Sequence, residues 1–147
     1  MEEGFSGVSG HESKIELLTL CTVGVQSLQD LIYTENVRIG WWERDGKNTS
    51  PGDPMRDPYR VVPEKIALIH SEVSEALEGY RTSAMDKHLP HHSSIAVGLA
   101  DAVIRILDLA GAMNVDLAPV IIEKVAYNWQ RQDHTREARA QAGGKKI

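Results

Sequence analysis

Two glutamates three residues apart, Glu72 and Glu75, stand in a stretch from Glu64 to Tyr80 whose apolar residues recur at helical spacing. On a helix that step puts two carboxylates on adjacent turns, within reach of one cation. A second stretch, Ile95 to Met113, is apolar nearly all round, and its charged residues Asp101, Arg105 and Asp108 share one stripe with Gly98. If the two stretches pack antiparallel, Glu72, Glu75 and Asp101 meet in one acidic pocket. Hard carboxylate oxygens, with no Cys or clustered His at ligand spacing, select Mg²⁺ or Mn²⁺ over Zn²⁺. The plainer alternative makes Glu-x-x-Glu a solvated helix face. The second stripe is then a narrow exposed edge, with an ion pair between Asp101 and Arg105.

Other residues invite chemistry with less force. Lys124, Asn128 and Arg131 follow i, i+4, i+7 spacing, and a point charge, a neutral donor and a forked donor on one face suit polyphosphate oxygens. The same residues also read as a solvated basic face near a helix C-terminus, where positive charge is favoured. Trp41 and Trp42, after Gly40, either stack a nucleobase or anchor a loop on the core. His88, His91 and His92 lie in a Pro-containing turn without a fourth ligand and read as exposed loop histidines. Cys21, the lone cysteine, reads as a small buried hydrophobe in a reducing compartment. Neither a Gly-rich phosphate loop nor a serine nucleophile elbow occurs.

The elements that must position these groups are helices. With 147 residues the chain has the size of a single domain, 1–147, and its 41% hydrophobic and 25% charged residues are ordinary for a globular protein. Eight aromatic residues and runs rich in Ala, Leu, Ile, Val and Glu argue for an all-α fold. The periodicity predicts a first helix from about Ser13 to Asn36, then a long loop from Val37 to Arg60 broken by Pro51, Pro54 and Pro58. Pro63 suits a first helical position, so Glu64 to Tyr80 forms the second helix, with Ile66, Ile69, Val73, Ala76, Leu77 and Tyr80 as its packing stripe. A third helix from Ser94 to Met113 is greasy enough to be buried, with Asn114 at its end. Asp116 caps a fourth from Leu117 through Gln132. Residues 1–11 and 139–147 are expected to be flexible.

Charge narrows the function classes. The net charge of −5 argues against a nucleic-acid binder, which needs a basic face. Residues 124–147 carry six Lys and Arg against two acids, or +4, leaving −9 for residues 1–123. An acidic body with a basic end suits a metal and a polyphosphate held together. The acidic N-terminus lacks the basic start of a secretory signal, and charges interrupt the longest apolar run, so a soluble, cytoplasmic protein without a membrane partner is expected.

Three segments, taken in order, resemble a family. Glu72-Val73-Ser74-Glu75, then Leu99-Ala100-Asp101 with Ala102-Val103-Ile104-Arg105, then Lys124-Val125-Ala126-Tyr127-Asn128-Trp129-Gln130-Arg131 are similar to MazG-like nucleoside triphosphate pyrophosphohydrolases. That all-α superfamily also holds dimeric dUTPases and phosphoribosyl-ATP pyrophosphohydrolases. The resemblance covers Asn36 to Lys146, including Gly40-Trp41-Trp42 and the Gly-Gly-Lys-Lys ending. It implies a four-helix core with helices 2 and 3 antiparallel, homodimers or homotetramers, and Mg²⁺-dependent cleavage of a (d)NTP to monophosphate and pyrophosphate. It also implies Glu72, Glu75 and Asp101 as metal ligands; Lys124, Asn128 and Arg131 with Trp41 and Trp42 are the candidate substrate contacts on the chemistry of their own side chains. One departure stands out: the family's second acidic pair is Glu-x-x-Asp, and here the Glu position is Gly98. A non-catalytic helical oligomer that binds nucleotide or a protein partner is the rival reading.

Overall fold

The computed structural model describes residues 11–44, 47–48 and 58–140. The protein is all-α: α1 (His11–Arg38), α2 (Pro58–Thr82), α3 (Ser94–Ala112), α4 (Leu117–Gln130) and a short α5 (Arg136–Ala140) follow in order. Two two-residue strands, β1 (Glu43–Arg44) and β2 (Lys47–Asn48), pair antiparallel in the connection after α1. The helices fall into two compact units, Met1–Gln26 with Leu117–Ile147 and Ser27–Asp116, and α1 contributes to both. The ends expected to be flexible lie outside the described residues, apart from His11 in α1 and residues 139–140 in α5. No described helix is long and apolar enough to cross a membrane.

In the unit Ser27–Asp116, helix ends follow local chemistry. Helix α1 ends at Arg38 and the chain turns at Gly40, whose φ of +84° is cheap only without a Cβ. There the Gly40 amide bonds the Val37 carbonyl, and the Trp41 amide reaches back to Asn36. Asn114, at φ +55°, ends α3 in the same way: its amide bonds Gly111 and the Val115 amide bonds Ala110. The first helix thus runs two residues past the expected Asn36, because a left-handed glycine, and not a loss of periodicity, terminates it. The start of α2 differs more. It opens at Pro58, which needs no amide hydrogen, and Pro63 sits inside the helix at the loss of one second-turn bond.

Helices α2 and α3 run antiparallel, with close contacts where Gly79 meets Ser94 and Ile95 and where Gly98 meets Ala76. At one end of the pair lies the core, built on Trp42, Leu109 and Ala112, with Tyr33, Val61, Val62 and Ile69 packed around it. Tyr33 meets the Trp42 ring edge-on at 6.3 Å, and Lys65 Nζ stands 4.2 Å from the ring centroid. Gln29 Nε2 donates to the Val115 carbonyl at 2.9 Å and ties α1 to the end of α3.

Two expectations about apolar faces are overturned. The stripe assigned to α2 packing is largely exposed at Ile66, Val73, Leu77 and Tyr80; the residues that meet α3 are Glu72, Ala76 and Gly79. Small residues win because they let the helix backbones approach, which larger side chains would prevent. For the same reason α3 is not enclosed all round: Leu99, Val103 and Ile106 lie open.

The other unit holds the first part of α1, α4, a 3-10 turn at Gln132–His134 and α5. Ala118 is fully buried. Cys21 is exposed, contrary to the buried position expected, because α1 carries apolar residues on every side and Leu17, Leu20 and Val23 are exposed as well. Helix α4 ends at Gln130, two residues before the expected Gln132.

Candidate functional site

The acidic residues of α2 and α3 do not sit in equivalent places. Glu72 is buried on the line where the helices touch, and its Oε1 accepts from Arg105 Nε at 2.6 Å. The ion pair expected within α3, between Asp101 and Arg105, is replaced by this one between helices, because Arg105 faces α2 directly. The guanidinium also lies 5.6 Å from the Trp41 ring centroid.

Asp101 and Glu75 line a cleft of about 460 Å³ beside that contact, with Glu78, Asp86 and Gly98 also on its wall. The polar stripe of α3 therefore borders a wet cleft at Asp101. The Asp101 carboxyl is held above its ordinary range, first by partial burial and then by repulsion from Glu72, with Arg105 opposing and Asp86 adding to the rise. Among the described residues, no group of three His, Cys, Asp or Glu side chains stands close enough to hold a metal ion as placed. Glu72, Glu75 and Asp101 share a neighbourhood and are not converged.

Gly98 has a packing role. A Cβ there would lie 2.9 Å from the Ala76 nitrogen and 3.0 Å from its Cα and Cβ. A longer side chain would push α2 and α3 apart.

Asp86 escaped notice in the sequence. Its Oδ1 accepts the amides of His88 and Leu89 at 2.8 and 2.7 Å, which lowers its proton affinity and folds the turn against the cleft. The signal was an aspartate two residues ahead of His88, an ordinary turn-forming pattern. His88 lines the cleft, while His91 and His92 are exposed and lie ring to ring at 4.3 Å.

The tryptophans part company. Trp42 is 1% exposed, and its indole Nε1 donates to Asp108 Oδ1 at 3.0 Å, so it anchors the loop on the core. Trp41 is exposed and keeps a ring surface open. Asp108, read as part of a solvated or cleft-lining stripe, is 2% exposed and belongs to that anchor.

Lys124, Asn128 and Arg131 lie in the other unit. Lys124 Nζ stands 4.7 Å from the Tyr127 ring centroid, and Asn128 is half-buried. Arg131 lies past the end of α4, in extended conformation, so it leaves the helical face assumed for it. Its Nε donates to Asp133 Oδ1 at 2.9 Å and its Nη2 to Oδ2 at 2.5 Å, a bidentate pair.

No family model matches the chain, and no curated protein or solved structure is similar to it.

Proposed function

We propose that the protein is a metal-dependent nucleoside triphosphate pyrophosphohydrolase of the MazG-like kind. It would cleave an NTP or dNTP to monophosphate and pyrophosphate for nucleotide-pool cleansing or adjustment, working as a homo-oligomer. The observation that carries this is the placement of Glu75 and Asp101 on the wall of the α2–α3 cleft with Glu72 beside Asp101. Glu72, Glu75 and Asp101 offer only hard oxygens, the donor chemistry of Mg²⁺ or Mn²⁺. When bound, the metal would draw charge from phosphate oxygens and lower the pKa of a water.

Each residue has a share in that scheme. Asp101 and Glu75 face the cleft and would hold the cation, with Glu72 beside them on Arg105. The Arg105 guanidinium, a planar fork, suits a phosphate oxygen. Glu75, the more exposed of the two glutamates, accepts the proton of the attacking water. Within the same unit, the exposed Trp41 offers a ring for base stacking. Trp42 supports that loop from within the core.

Incubation with Mg²⁺ or Mn²⁺ and a panel of NTPs and dNTPs tests the reading. Release of monophosphate and pyrophosphate is expected, and Asp101→Asn should lower turnover by about 100-fold or more while the helical spectrum is retained. Turnover untouched by Asp101→Asn would remove the site assignment.

A second reading, a non-catalytic helical oligomer binding nucleotide or a protein partner, is favoured by Gly98 closed against Ala76 and by Arg105 already seated on Glu72. It predicts no monophosphate from any nucleotide, and nucleotide binding by calorimetry that EDTA leaves unchanged. Restoring Glu at position 98 does not separate the two readings, because the side chain would meet the α2 backbone.

A further inference from the structure

Along α2, Glu72, Ala76 and Gly79 form the line that meets α3, and on α3 Gly98 and Arg105, about two turns apart, face back across it. Glu75 and Asp101 stand three residues further on, from Glu72 and from Gly98 respectively, and each is turned about 60° off that line. The step of three that should bring two carboxylates to one cation therefore splits them. Glu75 and Asp101 reach the wall of the cleft of about 460 Å³, and Glu72 does not.

Arg105 is what holds Glu72 on the contact line. Its Nε donates to Glu72 Oε1 at 2.6 Å, the Arg105 and Glu72 side chains are 26% and 9% exposed, and the guanidinium lies 5.6 Å from the Trp41 ring centroid. A guanidinium does not deprotonate in a protein, so this cation never leaves by losing its charge. Both charges of the pair are felt in the cleft: Glu72 raises the proton affinity of Asp101 and Arg105 lowers it. Glu72 thus lies within electrostatic reach of the cleft and is kept out of it by a bond. Taking Glu72 away would leave a largely buried guanidinium without its partner, which is costly.

We propose that Arg105 is a built-in competitor of the divalent cation, a positioning residue that acts through Glu72. By holding Glu72 between the helices it keeps the cleft to two carboxylates and sets how tightly the protein takes up a cation. Two carboxylates suit an ion that draws its remaining ligands from water and phosphate oxygens, as Mg²⁺ commonly does. A third would bind the ion more tightly to the protein alone. The inference rests on the cation site proposed above and names the residue that regulates it.

The test is uptake of Mn²⁺ alone by the full chain, read from the electron paramagnetic resonance of the free ion, with far-UV circular dichroism as the check on folding. Arg105→Met should tighten uptake by about 10-fold or more, because a positive charge leaves and a carboxylate is freed. In a Glu72→Gln background most of that gain should disappear, and a double-mutant cycle measures the difference. Arg105→Gln, which loses the charge and keeps a donor for Glu72, covers the case in which Arg105→Met does not fold, and it should also tighten uptake. Arg105→Lys, which keeps the charge, should stay close to the wild type. Asp101→Asn should weaken uptake in every background. Uptake unchanged or weakened in both neutral variants, a gain equally large without the Glu72 carboxylate, or no Mn²⁺ uptake by any of these proteins would each overturn the proposal. No turnover on any nucleotide with the Mn²⁺ shifts intact would remove the proposed reaction and leave this inference standing. Turnover with the shifts absent would do the reverse.

Discussion

Asp108 and Glu72 are both acids that the fold buries, and their surroundings treat them differently. Asp108 sits in the core end of the α2–α3 pair and accepts from the indole of Trp42, a neutral donor locked by aromatic and aliphatic packing. Glu72 sits at the cleft end and is met by the guanidinium of Arg105, which is itself a quarter exposed. A buried acid held by a packed donor has nothing to exchange. An acid held by a partly exposed cation can trade one cation for another.

Substitutions can break this contrast. Trp42→Ala should cost the most, about 3–5 kcal/mol in urea unfolding, because it empties the core and orphans Asp108 together. Arg105→Met should cost about 2 kcal/mol, below the figure for fully buried pairs because the guanidinium reaches water. Most of that cost should vanish in a Glu72→Gln background, and a double-mutant cycle showing no coupling would mean the pair is incidental. Gly98→Ala should cost about 1 kcal/mol net, since crowding against Ala76 outweighs the helix propensity gained. A stabilised Gly98→Ala would show that α2 and α3 have room to spare.

The smallest effect has the opposite sign. Asp101 binds its proton more tightly in the folded state than in the unfolded chain, so ionising it opposes folding, and its contribution to stability falls as pH rises through the carboxylate range. Asp101→Asn should therefore raise the melting temperature at neutral pH, with the gain shrinking as pH falls through the carboxylate range and the wild-type carboxyl takes up its proton. Saturating Mg²⁺ should stabilise the wild type and not this variant. A gain in stability with a loss of turnover is the pattern of a residue kept for function.

Much of the fold was readable because helices announce themselves by period. The four long helices lie near the positions their periodicity predicts, and Asn114 ends α3 as expected. The misses share a cause. The α2 stripe was chosen by hydrophobicity, whereas the helices meet through Glu72, Ala76, Gly79 and Gly98, where small size decides. Spacing offers Arg105 only Asp101, its neighbour on the same helix, as in the solvated-edge alternative, because it reveals partners within an element and not across one. Arg131 was carried on a helical wheel past the point where α4 had ended. Trp41 and Trp42, adjacent and alike, required the packing of Asp108 to tell them apart.

By itself the sequence determined that this chain is helical, where most of the turns lie, and that acids gather on two consecutive helices, since period, caps and composition act within a few residues. Only the tertiary structure decided which faces of α2 and α3 touch, that Gly98 is closed by Ala76, and that Arg105 reaches Glu72 before any other cation. Those outcomes depend on distances between residues more than twenty positions apart, and no local preference encodes them.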